Sequence, residues 1–491
     1  MRVQFTPTSP SARPLRLPPQ PSACPPEATL DSVTLSLVAE APHPRTTNWS
    51  RVALASAGLA LAALGAAAPA QAAGFGPPGF HQEFQHHHGQ NWDQRTAEEG
   101  SGWFIPRNPD TTPVRPHFAF QVPEGTSDLG PLRVLDNTRG QLRALRLQWP
   151  AERDPRARQA HEAMFSDLLT KTDPSVRFEV IAESDGVRDL QDLLDRLEVP
   201  EGRVRIHSLS LRSNSQELVQ GLSMWSRDSS LTLTAADGHE ILLLPHSFRD
   251  DGQVDAYLNR VIIQSSGAAP AFLHSRAPDI EVRRSRLDFE GGDIIANGRH
   301  VLISGATIAD NAKRLHESEE QVVARFEAEM GRQVIVISPE PDFHLDLGIS
   351  FLDDHTATVA DPNLALTLLE GNHTSELDLM RSQTAEKGLA EKYDAAAERL
   401  SQAGYRVLRV PNLAGKSLSS PYLTYQNVLL ENYGQTKRVY MPVYGIEATD
   451  SYARQLYERE GFEVVDISAA LASTRLGGAI RCAVSELDVA Q

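Results

Sequence analysis

Residues 287–304, LDFEGGDIIANGRHVLIS, decide the reading of the fold. Residues 288–296 predict a strand, Asn297-Gly298 is a strong signal for a tight hairpin turn, and 300–304 predict the return strand. Downstream, 309–330 carry apolar residues at helical spacing and stop at Gly331, a residue suited to close a helix. The β-branched run 333–337 then predicts a third strand, stopped by Pro339. Hairpin, helix and strand together make one ββαβ unit.

The same pattern recurs on both sides. Upstream, residues 225–235, the turn Asp237-Gly238 and 240–244 predict a hairpin, followed by a short helix over 254–263. Downstream, residues 344–352, the turn Asp353-Asp354 and 356–360 predict another, completed by a helix over 385–402 and a strand over 405–410. A further copy runs through 425–431, 438–442, a helix over 448–460 and a strand over 462–466. The segment ending at Cys482 opens a fifth unit. Its remainder comes from 155–206, which read helix, strand, helix, strand. Circular closure of this kind removes exposed sheet edges, the usual reason for ring architectures.

The first strand of each unit carries the reactive groups. Asp228 lies in Trp225-Ser226-Arg227-Asp228, Glu290 in Phe289-Glu290-Gly291-Gly292-Asp293, and His344 and Asp346 in Phe343-His344-Leu345-Asp346. Cys482 follows Gly477-Gly478 near the C-terminus. If the units pack around an axis, these strands converge there. One thiol, one imidazole and three carboxylates suit nucleophilic catalysis on a cationic substrate. Blander readings exist for each. Cys482 reads equally as a buried inert thiol, Glu290-Gly-Gly-Asp293 as a turn, and Asp228 as a partner of the adjacent Arg227. Neighbours on a strand point to opposite faces, which argues against that last pair, whereas His344 and Asp346 at i and i+2 share a face.

The chain has 491 residues and a formal net charge of -17, which disfavours a nucleic-acid binder and is compatible with a cationic substrate or simply an acidic surface. Residues 1–44 are rich in Pro and Ser and predict no fold. Residues 45–72 read as an export signal: Arg45 and Arg51, the apolar run 52–65, and Ala70-Gln71-Ala72 as the cleavage motif. The run is too short to span a membrane, so no stable membrane anchor is expected. A signal this far inside the chain points to a true start near residue 38. Cleavage after Ala72 would remove Cys24 and leave Cys482 as the one thiol, with no partner for a disulfide in an oxidising compartment. Residues 73–140 read as a flexible linker, and 141–491 as the catalytic domain. His86-His87-His88 lack further ligands at sensible spacing, so neither a metal nor another cofactor is expected.

Taken together, Trp225-x-Arg227-Asp228, Glu290-Gly291-Gly292-Asp293, His344-Leu345-Asp346 and Gly477-Gly478-Ala479-Ile480-Arg481-Cys482 resemble the guanidino-group-modifying superfamily. Its members include arginine and agmatine deiminases, bacterial peptidyl-arginine deiminases and amidinotransferases. The run from Tyr422 to Asn427, ahead of Tyr440-Met441-Pro442, is similar to the strand pair before the catalytic Cys in these enzymes. The resemblance covers roughly residues 220–491 and more weakly the chain from about 140. It implies a five-bladed α/β propeller of ββαβ units. It also implies roles: Cys482 as nucleophile, His344 as proton carrier, Glu290 as the carboxylate orienting it, Asp228 and Asp346 as the guanidinium clamp, with Trp225 and Arg227 in the substrate-binding set. Two positions depart from subgroup patterns. Phe343 stands where agmatine deiminases usually have Gly, and Leu347 where arginine deiminases usually have Thr.

The expected function is an exported deiminase acting on arginine, agmatine or peptidyl-arginine. An amidinotransferase would use the same nucleophile and clamp, with an amine in place of water. A guanidino-sensing binding protein would keep the fold without turnover. A cysteine hydrolase of amide bonds would leave the two aspartates without a purpose, since that chemistry needs an oxyanion hole and no carboxylate clamp.

Overall fold

The computed structural model describes residues 33–36, 122–151, 155–212, 218–246, 250–255, 260–265, 273, 280–414, 422–468 and 478–490. The predicted signal at 45–72, the His86-His87-His88 run, Cys24 and Gly477 lie outside the described residues.

The unit around residue 287 has the predicted order. Ile294–Ala296 pairs antiparallel with His300–Ser304, which pairs parallel with Gln333–Ile337. The strand predicted over 288–296 is confined to its last three residues, because Gly291–Asp293 turns as a short 3-10 helix before it. The helix predicted over 309–330 is two helices, Gly305–Leu315 and Glu319–Met330. His316 closes the first in a left-handed conformation, and Ser318 opens the second with a reciprocal capping box to Gln321. Gly331 closes the second helix at positive φ, as predicted, and a Cβ there would strike the Leu132 carbonyl.

Three further units repeat this antiparallel-then-parallel order. They are Ile349–Phe351, Thr356–Asp361 and Arg406–Leu413; Leu429–Tyr433, Thr436–Pro442 and Glu463–Ile467; and Leu231–Ala235, Glu240–Leu244 and Glu281–Arg284. The helix predicted over 385–402 is broken at Gly388, giving Ser375–Glu386 and Leu389–Gln402. In the last of these units the helix predicted over 254–263 is absent. Asp250–Asp255 and Arg260–Ser265 instead form an antiparallel pair, because the β-branched run Val261-Ile262-Ile263 favours extended backbone.

The fifth sheet joins the two ends of the chain. Ser485–Ala490 pairs antiparallel with Gln141–Trp149, which runs parallel to Arg177–Glu183, and that strand parallel to Val204–Arg212. Helices Pro155–Lys171 and Val187–Arg196 supply the crossovers. Val33–Ser36, within the stretch for which the sequence predicted no fold, adds a parallel strand beside Val204–Arg212.

The linker reading of 73–140 is corrected over its described part. Leu132–Val134 pairs antiparallel with Leu231–Ala235, and Glu124 bridges to Arg284. Leu132 and Val134 are buried with Leu231, Leu233, Val301, Phe326 and Met330. Removing such a side chain from water contributes about 1.5–3 kcal/mol, enough to fix so short a strand.

Candidate active site

Each reactive group sits in a turn just upstream of the first strand of its unit, and not on the strand itself. Asp228 precedes Leu231–Ala235. Glu290 precedes the turn Gly291–Asp293, and His344 the 3-10 turn Leu345–Leu347, which contains Asp346. Cys482 lies in the one-turn helix Ile480–Ala483, ahead of Ser485–Ala490. A turn frees the backbone from alternation. His344 and Asp346 therefore face the same site for a reason other than a shared strand face.

The structure brings these groups together. His344 Nε2 lies 2.6 Å from Glu290 Oε2, and His344 Nδ1 lies 3.9 Å from Asp228 Oδ1. The imidazole also interacts electrostatically with the Cys482 thiol. Cys482 Sγ lies 3.8 Å from Asp346 Oδ1. Asp346 is fully buried, whereas the Asp228 side chain is 22% exposed. Trp225 packs its ring beside Cys482, over Gly478, where a Cβ would approach the indole to 2.7 Å.

The Gly291-Gly292 pair is required by close approach. A Cβ on Gly291 would collide with the Arg227 carbonyl oxygen, and one on Gly292 would lie 2.5 Å from His344 Nδ1. The pair lets the Glu290 turn pack directly against both the Asp228 turn and the imidazole.

Electrostatics follow from burial and charge. Burial lowers the His344 pKa, but the Asp228 charge, the neighbouring Cys482 and the bond to Glu290 outweigh it, so the group stands well above its usual range. Burial, then the Asp346 charge, push the Cys482 thiol up to about 11, with His344 opposing. Burial also raises Asp346, against the nearby Arg481 and His344. Asp293 is pushed up to about 7 by burial, with His344 opposing and Glu290 adding to the rise. In the ligand-free site, burial and Asp346 thus favour the neutral thiol, while the neighbouring carboxylates favour the protonated imidazole. Among the described residues, no group of His, Cys, Asp or Glu is arranged to hold a metal ion.

Arg227 differs from its expected place in the substrate-binding set. Its side chain is buried in an ion pair with Glu486, and its backbone N–H donates to the Cys482 carbonyl at 3.0 Å. It braces the Cys482 turn from behind.

Two residues had no role in the sequence reading. Asn427 donates from Nδ2 to Cys482 Sγ and to the Asp346 carbonyl, both at 3.2 Å, and accepts the Cys482 N–H at 3.2 Å. Its signal was positional: it precedes Leu429–Tyr433 as the other groups precede their first strands. Arg481 lies with Nε 3.4 Å from Asp346 Oδ2.

A sequence model of the Porphyromonas-type peptidyl-arginine deiminase family matches residues 139–487. No curated protein matches the chain. Among solved structures, C. jejuni agmatine deiminase is similar with a TM-score of 0.51 at 16% identity, over 74% of this chain and 98% of its own. A single-residue variant of that enzyme with substrate bound gives 0.50 at 16% identity, over 73% and 97%. Agmatine deiminase of Enterococcus faecalis gives 0.51 at 13% identity, over 75% and 98%. At these identities the likeness is one of fold: an α/β fold of the deiminase type, built on mixed sheets.

Proposed function

Because the chain belongs to the Porphyromonas-type peptidyl-arginine deiminase family, within the guanidino-group-modifying superfamily, we propose that it hydrolyses a guanidino group through a covalent intermediate on Cys482. The observation that carries the proposal is the convergence of Cys482, His344, Glu290, Asp228 and Asp346, drawn from four units, on one site.

Asp228 and Asp346 take the guanidinium nitrogens. Two carboxylates suit a planar, permanently charged group with a fork of donors. Binding the cation offsets the carboxylate charge that holds the thiol proton in place, so the thiol deprotonates more readily with substrate bound. The thiol gives its proton to solvent, and the thiolate attacks the central carbon to form a C–S bond. His344 donates its proton to one nitrogen, and the C–N bond breaks to release ammonia. His344 then takes a proton from water, whose oxygen attacks the same carbon. The C–S bond breaks, leaving a ureido product and a free thiol. Glu290, on Nε2 of the imidazole, keeps the ring oriented through both transfers. Trp225 forms an apolar wall beside the reacting carbon.

Because the matching family is described as a peptidyl-arginine deiminase, we place the arginine side chain of a peptide first among the substrates to test, with agmatine and free arginine beside it. Assays of ammonia and ureido product from all three test the reading. Product from the blocked arginine peptide is the expected result. Absence of ureido product, with an amidino group passed to an added amine, would favour the transferase. No turnover with tight guanidine binding would favour the sensor.

Five of the six sheets among the described residues share an antiparallel-then-parallel pairing, which supports a five-bladed arrangement with the reactive turns at its axis. A crystal structure whose five first strands did not share an axis would overturn it. Export follows from residues 45–72, with residues 73–491 as the mature product. N-terminal sequencing of protein recovered outside the cytoplasm is expected to begin at Ala73. An uncleaved chain retained inside the cell would sink the export proposal.

A further inference from the structure

Arg481 and Cys482 are consecutive on the helix Ile480–Ala483, so their side chains leave it about 100° apart. The thiol faces one oxygen of Asp346: Sγ to Oδ1 is 3.8 Å. The guanidinium faces the other, with Nε 3.4 Å from Oδ2. Both side chains are buried. Arg481 cannot swing away, because its Nη2 donates to Asn137 Oδ1 at 3.0 Å and to the Ile294 carbonyl at 3.4 Å. Asn137 is held in turn by the Ala296 N–H and by Glu486.

We propose that Arg481 is a positioning residue that keeps Asp346 ionised and reserves its Oδ1 for a substrate guanidinium nitrogen. The inference rests on the deiminase reading of this site. A carboxyl group shut away from water protonates unless a cation stands beside it, and a protonated Asp346 could not clamp a guanidinium. The charged and titratable groups acting on Asp346 are Arg481, His344, Arg227, Cys482 and Asp293. Of these, His344 and Cys482 exchange protons during the proposed reaction, and Arg227 is committed to Glu486. Arg481 is the cation that remains constant. Its charge lies on the Oδ2 side of the carboxylate, so Asp346 meets the substrate through Oδ1 and Asp228 receives the second nitrogen.

The test compares Arg481→Met and Arg481→Lys with the unmodified protein, measuring kcat and KM for the preferred guanidino substrate against pH. Loss of the cation raises the Asp346 pKa further. Ionised Asp346 is then lost as pH falls, and KM rises with it. Arg481→Met is expected to raise KM roughly tenfold for each pH unit below that pKa, while Arg481→Lys restores the flatter profile of the parent. Equal loss of kcat in both variants, with KM–pH profiles parallel to the parent's, would mean a merely structural role and would overturn the proposal. A second measurement does not need a folded variant at position 481. The infrared difference between the unmodified protein and Asp346→Asn at mildly acidic pH is expected to contain a carboxylate band, and a protonated-carboxyl band in its place would also overturn the proposal. This readout is independent of turnover, so an inactive protein with an ionised Asp346 would count against the deiminase reading and not against Arg481.

Discussion

Replacing Cys482 with alanine is expected to remove deimination, lowering kcat by at least on the order of ten-thousand-fold. No other cysteine is present among the described residues to take over the attack. Folding should survive, since the change removes one sulfur from a packed site and costs about 1 kcal/mol. The variant also isolates the thiol's titration. The ultraviolet difference between the parent and Cys482→Ala, which reports thiolate, should grow only as pH approaches about 11 in the ligand-free protein. The sign follows from the causes: burial and Asp346 favour the neutral thiol, and the imidazolium of His344 does not overcome them. With substrate bound, its positive charge cancels part of that effect. The acid limb of kcat, which reports the complex, should therefore lie at lower pH than that of kcat/KM, which reports the free protein. Full activity in Cys482→Ala would refute the covalent route. Coincident acid limbs would refute assistance by the substrate's charge.

Asp346→Asn should be the most damaging change among the carboxylates, with a loss of about a hundred- to ten-thousand-fold in kcat/KM. The substitution keeps the size and removes the charge. It also turns an amide N–H₂ toward the guanidinium, a donor facing a donor. Asp346 is fully buried, where charge is poorly screened, while Asp228 is partly open to water. Asp228→Asn is accordingly expected to raise KM by a smaller factor. The buried Arg481 would lose its nearest carboxylate in Asp346→Asn, so a stability loss of about 1–3 kcal/mol should accompany the kinetic effect. Steady-state kinetics with thermal melts on both variants check the ranking, and a larger defect in Asp228→Asn would reverse the assignment of the dominant clamp.

Much of the architecture was legible because it is local. Asn297-Gly298 set a hairpin between apolar runs, Gly331 ended a helix at positive φ, and the run 333–337 could only be extended. The break between Gly305–Leu315 and Glu319–Met330 was also legible, in the Ser318-x-x-Gln321 capping box, but helical periodicity on both sides masked it. Cys482, His344, Glu290, Asp228 and Asp346 could be picked out because their residue types and spacing suggest one chemistry. The turns that carry them could not. Glycine and short apolar runs fit a strand as well as a 3-10 turn, so Glu290 and His344 read as strand residues.

What the sequence alone determined was the set of repeated hairpins and parallel strands and the candidate groups that converge on one site, because backbone propensity and turn chemistry act between near neighbours. The tertiary structure decided which charge meets which. Arg227 pairs with Glu486, 259 residues away, and so braces the site without lining it. Arg481 stands behind Asp346, Asn427 bonds both the thiol and the Asp346 backbone, and Leu132–Val134 becomes a strand only because Leu231–Ala235 offers it an edge. Such pairings depend on burial, and a group's burial is set by what the rest of the chain packs against it.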